Sequence, residues 1–269
     1  MTVQQVGLHH PEVQRVFAIQ RNSAPNPRRL IVVEGVWSHD IVLRTGVQVE
    51  TFLVCPDAIV SPEAEQRSKA MIERARNSYR ISRRVLHRVS ERDDPDGLVS
   101  LVELPGPGAS ASAIGSGGLV VVADSVEIPG NLGTLIRTLD AAAVDALILT
   151  HRRTRLTHPK VFRASQGTLL SFPVLEFDAV SDAVTWLKER RFRVLLADTR
   201  EAESYRSFDY TRERTAFVVG SERYGIHLEW YQHAFARVYI PMLGSADSLN
   251  VSVAAAILAF EARSQLNRW

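Results

Sequence analysis

Five apolar runs in the second half of the chain, Leu119 to Ala123, Ala146 to Thr150, Phe192 to Ala197, Thr215 to Val219 and Val238 to Ile240, are nearly continuous rather than alternating. A strand with one wet face alternates apolar and polar residues, whereas a strand covered on both faces does not. The segments between these runs have helical spacing and are long enough to cross over a sheet. Together they predict an α/β fold with a mostly parallel sheet covered on both faces. In such sheets ligands settle beyond the carboxyl ends of the strands, so the segments just after the runs are the ones to read for chemistry.

After LVVVAD comes SVEIPGNLGTLIRTLDAAA, where a Pro129-Gly130-Asn131 turn enters a helix with Arg137 about two turns in. The plain reading of Asn131 there is a helix N-cap. After TAFVVG comes SERYGIHLEW, with Gly220 and Gly225 bracketing Glu222. Glycines at such points let backbone approach a ligand, although an ordinary strand-to-helix turn needs them too. After VYIPM comes LGSADSLNVSVAAAILAFEA, where Ser248 and Asn250 stand at the entry of an apolar helix and capping is the plain reading of Ser248. Each loop alone is an ordinary connection. Three of them opening at the same edge of one sheet are the layout of a loop-built ligand site.

The first hundred residues alternate LIVVEG, a polar helical stretch from Ser38, ETFLVC, a helix from Pro62 to Asn77, VLHRV and LVSLVEL, which predicts a small α/β domain. The stretch LPGPGASASAIGSGG has linker composition, placing a boundary near residues 105 to 117 and domains over 1–110 and 117–269. Its glycines precede a strand, whereas a phosphate loop should follow one.

The chain of 269 residues carries a net charge of only +2, so bulk electrostatics do not announce nucleic acid. Between residues 74 and 92, however, Arg74, Arg76, Arg80, Arg83, Arg84, Arg88 and Arg92 face a single acid, Glu91. A solvated helix face is the plain reading and an RNA contact the functional one. No apolar run reaches the roughly 18 residues that cross a bilayer, and the polar start lacks the pattern of a leader, which predicts a cytoplasmic protein. The single cysteine, Cys55, excludes an intramolecular disulfide and reads as the end of a buried strand. Neither HExxH nor CxxC occurs, and His9 and His10 read as a flexible surface pair, so no metal is expected. A hydride-transferring Rossmann enzyme is disfavoured because no GxGxxG follows a strand.

The string from Asp124 through PGNLGTLIRT, the GSERYG box and IPMLGSADSLNVSVA resemble, in order and spacing, the three motifs of SpoU-type RNA ribose methyltransferases of the SPOUT class. KVFRASQGTLLSFPV resembles the segment that the family carries between its first two motifs, so the likeness spans residues 117 to 266. RRLIVVEG resembles, less specifically, the ribosomal-protein-like RNA-binding domain that precedes many members. Val144 departs from the pattern, since relatives place a glycine near it, and is expected to affect packing more than chemistry.

The resemblance implies a C-terminal trefoil knot, an exception to the rule that chains do not thread. It also implies S-adenosyl-L-methionine as cofactor, 2′-O-methylation of a ribose in RNA, ribosomal RNA ahead of transfer RNA, and a homodimer, with which the apolar face of Val253, Ala256 and Leu258 is compatible, although core packing would give the same pattern. By motif position Arg137 is the catalytic residue, clamping phosphate and polarising the hydroxyl, because arginine ionises too high to be a ready base. Asn131, Glu222 and Asn250 would order the site, and Gly220, Ile240, Met242, Ser248 and Leu249 would surround the cofactor. Arg163, Ser165, Arg80, Arg83 and Arg84 are the candidate RNA contacts. The competing expectation from another class is a non-catalytic RNA-binding protein.

Overall fold

The computed structural model describes residues 3–106, 118–199 and 202–267. Most of the expected linker, residues 107–117, lies outside them. In chain order the elements begin with β1 (Gln4–Gln5), α1 (Pro11–Gln20), β2 (Leu30–Glu34), α2 (Val36–Thr45), β3 (Val49–Val54), α3 (Pro62–Arg74), β4 (Asn77–Arg80), α4 (Arg83–Val89) and β5 (Leu98–Glu103). They continue with β6 (Leu119–Asp124), α5 (Pro129–Ala141), β7 (Ala146–Thr150), α6 (Pro159–Ser165), β8 (Val174–Glu176), α7 (Val180–Glu189) and β9 (Phe192–Ala197). The last are β10 (Glu203–Ser204), β11 (Arg214–Val219), α8 (Leu228–Tyr231), β12 (Ala236–Tyr239) and α9 (Val251–Asn267).

Two compact units result: Met1–Pro105 with Leu156–Ser171, and Gly106–Arg155 with Phe172–Trp269. The expected domains are contiguous and the compact units are not. In the first unit a mixed sheet runs β1-β4-β3-β5-β2, with β5 antiparallel to both β2 and β3. Its core gathers Val13, Val16, Leu53, Cys55, Leu86 and Leu101, and Cys55 is a free, buried thiol as expected. The inserted segment packs on β2 through α6, and its Gly167 comes so close to Ile41 of α2 that a Cβ would lie 2.7 Å from Cδ1.

VLHRV belongs to a helix, α4, rather than to an apolar strand. The Ser82 hydroxyl accepts from Val85 N–H at 3.4 Å to cap it, and Val85, Leu86 and Val89 fall on one buried face. The arginine run also departs from expectation. It spreads over the end of α3, β4, α4 and the loop beyond, so it is not one helix face. Arg76 pairs with Glu50, Arg83 donates to the Asp57 carbonyl, Arg88 lies over the Phe17 ring and Arg92 pairs with Asp96. His10 is likewise structural, its Nδ1 accepting from Glu12 N–H to cap α1.

The second unit holds a sheet in the order β10-β12-β9-β11-β6-β7-β8, every pairing parallel. Phe217 of β11 sits in register with Val121 on one side and Leu195 on the other, and all three are fully buried. Helix α7 covers one face with Val180, Ala183, Val184 and Leu187. The two short edge strands, β8 and β10, escape a periodicity reading because three and two residues carry almost no pattern. Val144 is buried behind α5, where Ala143 takes a left-handed φ of 51° to end the helix.

Candidate active site

The loop after β6 begins α5 earlier than its residues promise. Ile128 is the cap residue and Pro129 the first helical position, so Asn131 lies within the first turn and its side chain does not cap. Its amide donor and acceptor are thereby left for other partners. Asn131 Nδ2 donates to Glu222 Oε1, while Asn131 Oδ1 accepts from Asn250 Nδ2 at 3.3 Å. The Asn131 carbonyl accepts from the Ser252 hydroxyl at 3.0 Å. One amide thus joins loops that stand 91 and 119 residues away in the chain.

At the start of α9 the cap is Asn250 rather than Ser248. Asn250 Oδ1 accepts from Ser252 N–H at 2.9 Å, leaving its Nδ2 to reach Asn131. In the second loop Ser221 and Gly225 exchange both backbone hydrogen bonds at 3.0 Å, pinching the chain into a tight return. A Cβ on Gly220 would lie 2.1 Å from the carbonyl carbon of Gly225, so this glycine is required for the chain to pass itself. Gly225, at φ 70°, turns in the left-handed region.

These loops enclose a cavity of about 630 Å³ at the carboxyl ends of β9, β11 and β12. Gly220, Ile240, Met242, Ser248 and Leu249 all line it, as does Glu222. Three further polar residues line it that the three motifs do not include, Asp198, Thr199 and Tyr231. Tyr231 donates its hydroxyl to Asp198 Oδ2 at 2.8 Å, and burial, reinforced by that carboxylate, pushes its pKa up to about 12. The signal for Asp198 in the sequence is position, since it directly follows β9 at the carboxyl edge of the sheet, as the three motif loops follow their strands.

Arg137 is exposed on α5, outside the cavity lining, and has no hydrogen-bond or ion-pair partner among the described residues. In the first unit Arg80 and Arg84 are exposed and unpaired on the same terms, whereas Arg163 pairs with Glu91. Ser165 corrects an expectation: it is fully buried and donates to the Phe162 carbonyl at 2.8 Å, so its hydroxyl is not presented to a phosphate. Of the apolar face of α9, Leu258 is fully buried and serves core packing, while Val253 and Phe260 stay exposed.

A parallel sheet whose carboxyl edge carries an open cavity, bordered by loops of which a single asparagine ties two to its own, defines an α/β protein built to hold a ligand at that edge. Residues 118–260 match the SpoU rRNA Methylase family, and the chain belongs to it. Among its relatives, the 23S rRNA (guanosine(2553)-2′-O)-methyltransferase RlmP of Bacillus subtilis is 30% identical over 199 residues, spanning 74% of this chain and 77% of the relative. The AdoMet-bound rRNA methyltransferase of Sinorhizobium meliloti superposes with a TM-score of 0.87 at 27% identity, covering 98% of each chain. The SpoU methyltransferase AviRb of Streptomyces viridochromogenes, solved with AdoMet, superposes at 0.82 with 26% identity over 96% of this chain and 98% of its own.

Proposed function

We propose that this chain transfers a methyl group from S-adenosylmethionine to a ribose 2′-hydroxyl of ribosomal RNA. The observation that carries the reading is the convergence of Asn131, Glu222 and Asn250 beside a cavity lined by all five residues expected around the cofactor. The cavity lies within the size range of small-molecule sites, and its lining suits this ligand. Ile226, Ile240, Leu249 and Ala254 offer apolar surface, while Asp198 and Glu222 bring carboxylates to a ligand that carries positive charge on its sulfonium and amino group.

When bound, the cofactor supplies an electrophilic methyl carbon with a good leaving group. The chain's task is to hold the ribose oxygen in line with that carbon, a contribution worth several kcal/mol at most sites of this kind. The new bond joins the 2′-oxygen to the methyl carbon, the carbon–sulfur bond breaks with its electrons passing to sulfur, and the hydroxyl proton leaves to solvent. Arg137, exposed and unpaired, suits a clamp on the neighbouring phosphate that also polarises the hydroxyl; a desolvated base would need burial. Asn131 and Asn250 hold Glu222 at the cavity rim.

The first unit serves as the RNA-holding part. Arg83 and Arg84 open α4 at its positive dipole end, where two cations cost a few tenths of a kcal/mol and acids would be favoured. That placement makes sense where phosphate is the intended neighbour. Further elements of the reading are threading of the segment after β12 into a trefoil knot and pairing of two chains through α9, whose Val253 and Phe260 are 47% and 40% exposed.

The test is incorporation of labelled methyl from S-adenosylmethionine into ribosomal RNA from cells lacking the gene, followed by mapping of blocked 2′-hydroxyls. A non-catalytic RNA binder transfers nothing, and labelling of transfer RNA alone would move the substrate assignment.

A further inference from the structure

A second cluster of chemistry-bearing side chains sits at the carboxyl ends of β6 and β7, outside the cavity lining. Asp124, the last residue of β6, is fully buried. Its Oδ1 accepts from the Thr150 hydroxyl and from His151 Nδ1, both at 2.8 Å, and its Oδ2 accepts from His227 N–H at 2.8 Å. In the neutral tautomer that donates from His151 Nδ1 to Asp124, the lone pair is on Nε2. That Nε2 lies 3.7 Å from Glu229 Oε1, and the same carboxylate oxygen lies 3.6 Å from His227 Nδ1. The two imidazole rings are 4.2 Å apart, and one donor atom from each of the three residues falls within 4.8 Å of the others.

Donors around a tetrahedral ion at about 2.1 Å are separated by about 3.4 Å. The two spacings to Glu229 are therefore already close to that value, and small side-chain rotations would complete the set. His151 sits at a left-handed φ of 44°, a region that histidine visits more readily than most non-glycine residues. Arg152, its neighbour, is engaged by Glu176 and Asp178.

We propose that His151 Nε2, His227 Nδ1 and the Glu229 carboxylate bind a divalent transition-metal ion of the zinc type, with water in the fourth position. Two imidazoles and one carboxylate favour such an ion over magnesium or calcium, which prefer all-oxygen sets. The hydrogen bond from His151 to the buried Asp124 is the outer support that orients metal-binding histidines. The long contact at 3.4 Å from Glu229 N–H to His227 Nδ1 is the one hydrogen bond that metal would displace. Ile226 and Leu228, which flank His227, line the large cavity, so an ion here would anchor the far end of the loop that begins at Gly220 to the end of β7. Its role is to stiffen that loop rather than to take part in methyl transfer.

The experiment uses the untagged full chain after chelator treatment. Zinc chloride titrated in a calorimeter should bind at one equivalent and raise the melting temperature, cobalt(II) should give the visible absorption of a tetrahedral N/O site, and magnesium chloride should do neither. His227→Ala and Glu229→Gln, both at partly exposed positions, should each weaken zinc binding by at least about tenfold and remove the cobalt band, with unchanged circular dichroism. Absence of heat and of any melting shift at millimolar zinc overturns the proposal. So does unaltered affinity in both variants, which would put the zinc on histidines elsewhere.

Discussion

Asn131 shows why an amide, and not a charged or purely accepting group, is needed where three loops meet. It donates to a carboxylate and accepts from another amide at the same time, a combination open to asparagine and glutamine and closed to aspartate. Asn131→Asp sets two carboxylates side by side. Methyl transfer is expected to fall by about 100-fold or more, with weaker AdoMet binding by calorimetry as the loops separate. Arg137→Ala is expected to leave AdoMet and RNA affinity within a few-fold while turnover drops by about 100-fold or more, because a phosphate clamp acts on the reacting geometry. Near-normal turnover would remove Arg137 from the reaction. A third residue governs acid stability. His39 is fully buried between the Gly35 carbonyl and the Ser100 hydroxyl, each 2.8 Å from a ring nitrogen, and burial lowers its pKa to about 4. The unfolded chain protonates this histidine near 6.5, so between about 4 and 6.5 the unfolded state binds more protons. The contribution is complete above pH 6.5 and is lost as pH falls towards 4, amounting to on the order of 3 kcal/mol. Urea midpoints at pH 7 and pH 5 should therefore differ less in His39→Gln than in the native chain.

Among the elements, the return between Ser221 and Gly225 is the one whose shape is dictated by backbone clearance. Gly220→Ala would drive a methyl into the Gly225 backbone, which cannot yield as a flexible side chain can. The expected result is a loss of about 1–3 kcal/mol in thermal stability and a collapse of AdoMet affinity. Gly130→Ala, at a position with open space around its missing Cβ, should change neither. The same elements show what could be read in advance. The five apolar runs appear as strands at nearly their expected bounds, because burial on both faces leaves so strong a mark on composition. The plain N-cap reading of Asn131 fails because capping preference is a local statistic, and here Pro129 has already opened the helix. VLHRV was ambiguous since a short apolar run fits strand and helix alike, and only its packing on α1 makes it α4.

At the scale of the whole molecule, the unit boundary is not a point in the sequence. Residues 156–171 leave the second unit's chain and pack with the first, where α6 lies on β2 and Phe162 lines a cavity with Trp37 and Gln20. A fragment starting at residue 106 would expose Val161, Phe162, Leu169 and Leu170, each worth about 1.5–3 kcal/mol when fully buried. Such a fragment should melt well below the full chain and aggregate in size-exclusion chromatography. Equal melting temperatures would show that the segment can be accommodated by the second unit alone.

The sequence by itself determined the parallel sheet and the three loops that open at its carboxyl edge, because continuous burial and glycine, proline and asparagine punctuation are local properties of a chain; the family resemblance added Gly220, Ile240, Met242, Ser248 and Leu249 of the cavity lining. Tertiary structure decided what the loops do to one another. The bond from Asn131 to Glu222, the lining roles of Asp198 and Tyr231, the meeting of His151 with His227 and Glu229, and the adoption of residues 156–171 by the first unit all join positions far apart in the chain. Such contacts leave no periodic trace along the chain; they exist only once strand order and register have set which loop ends become neighbours.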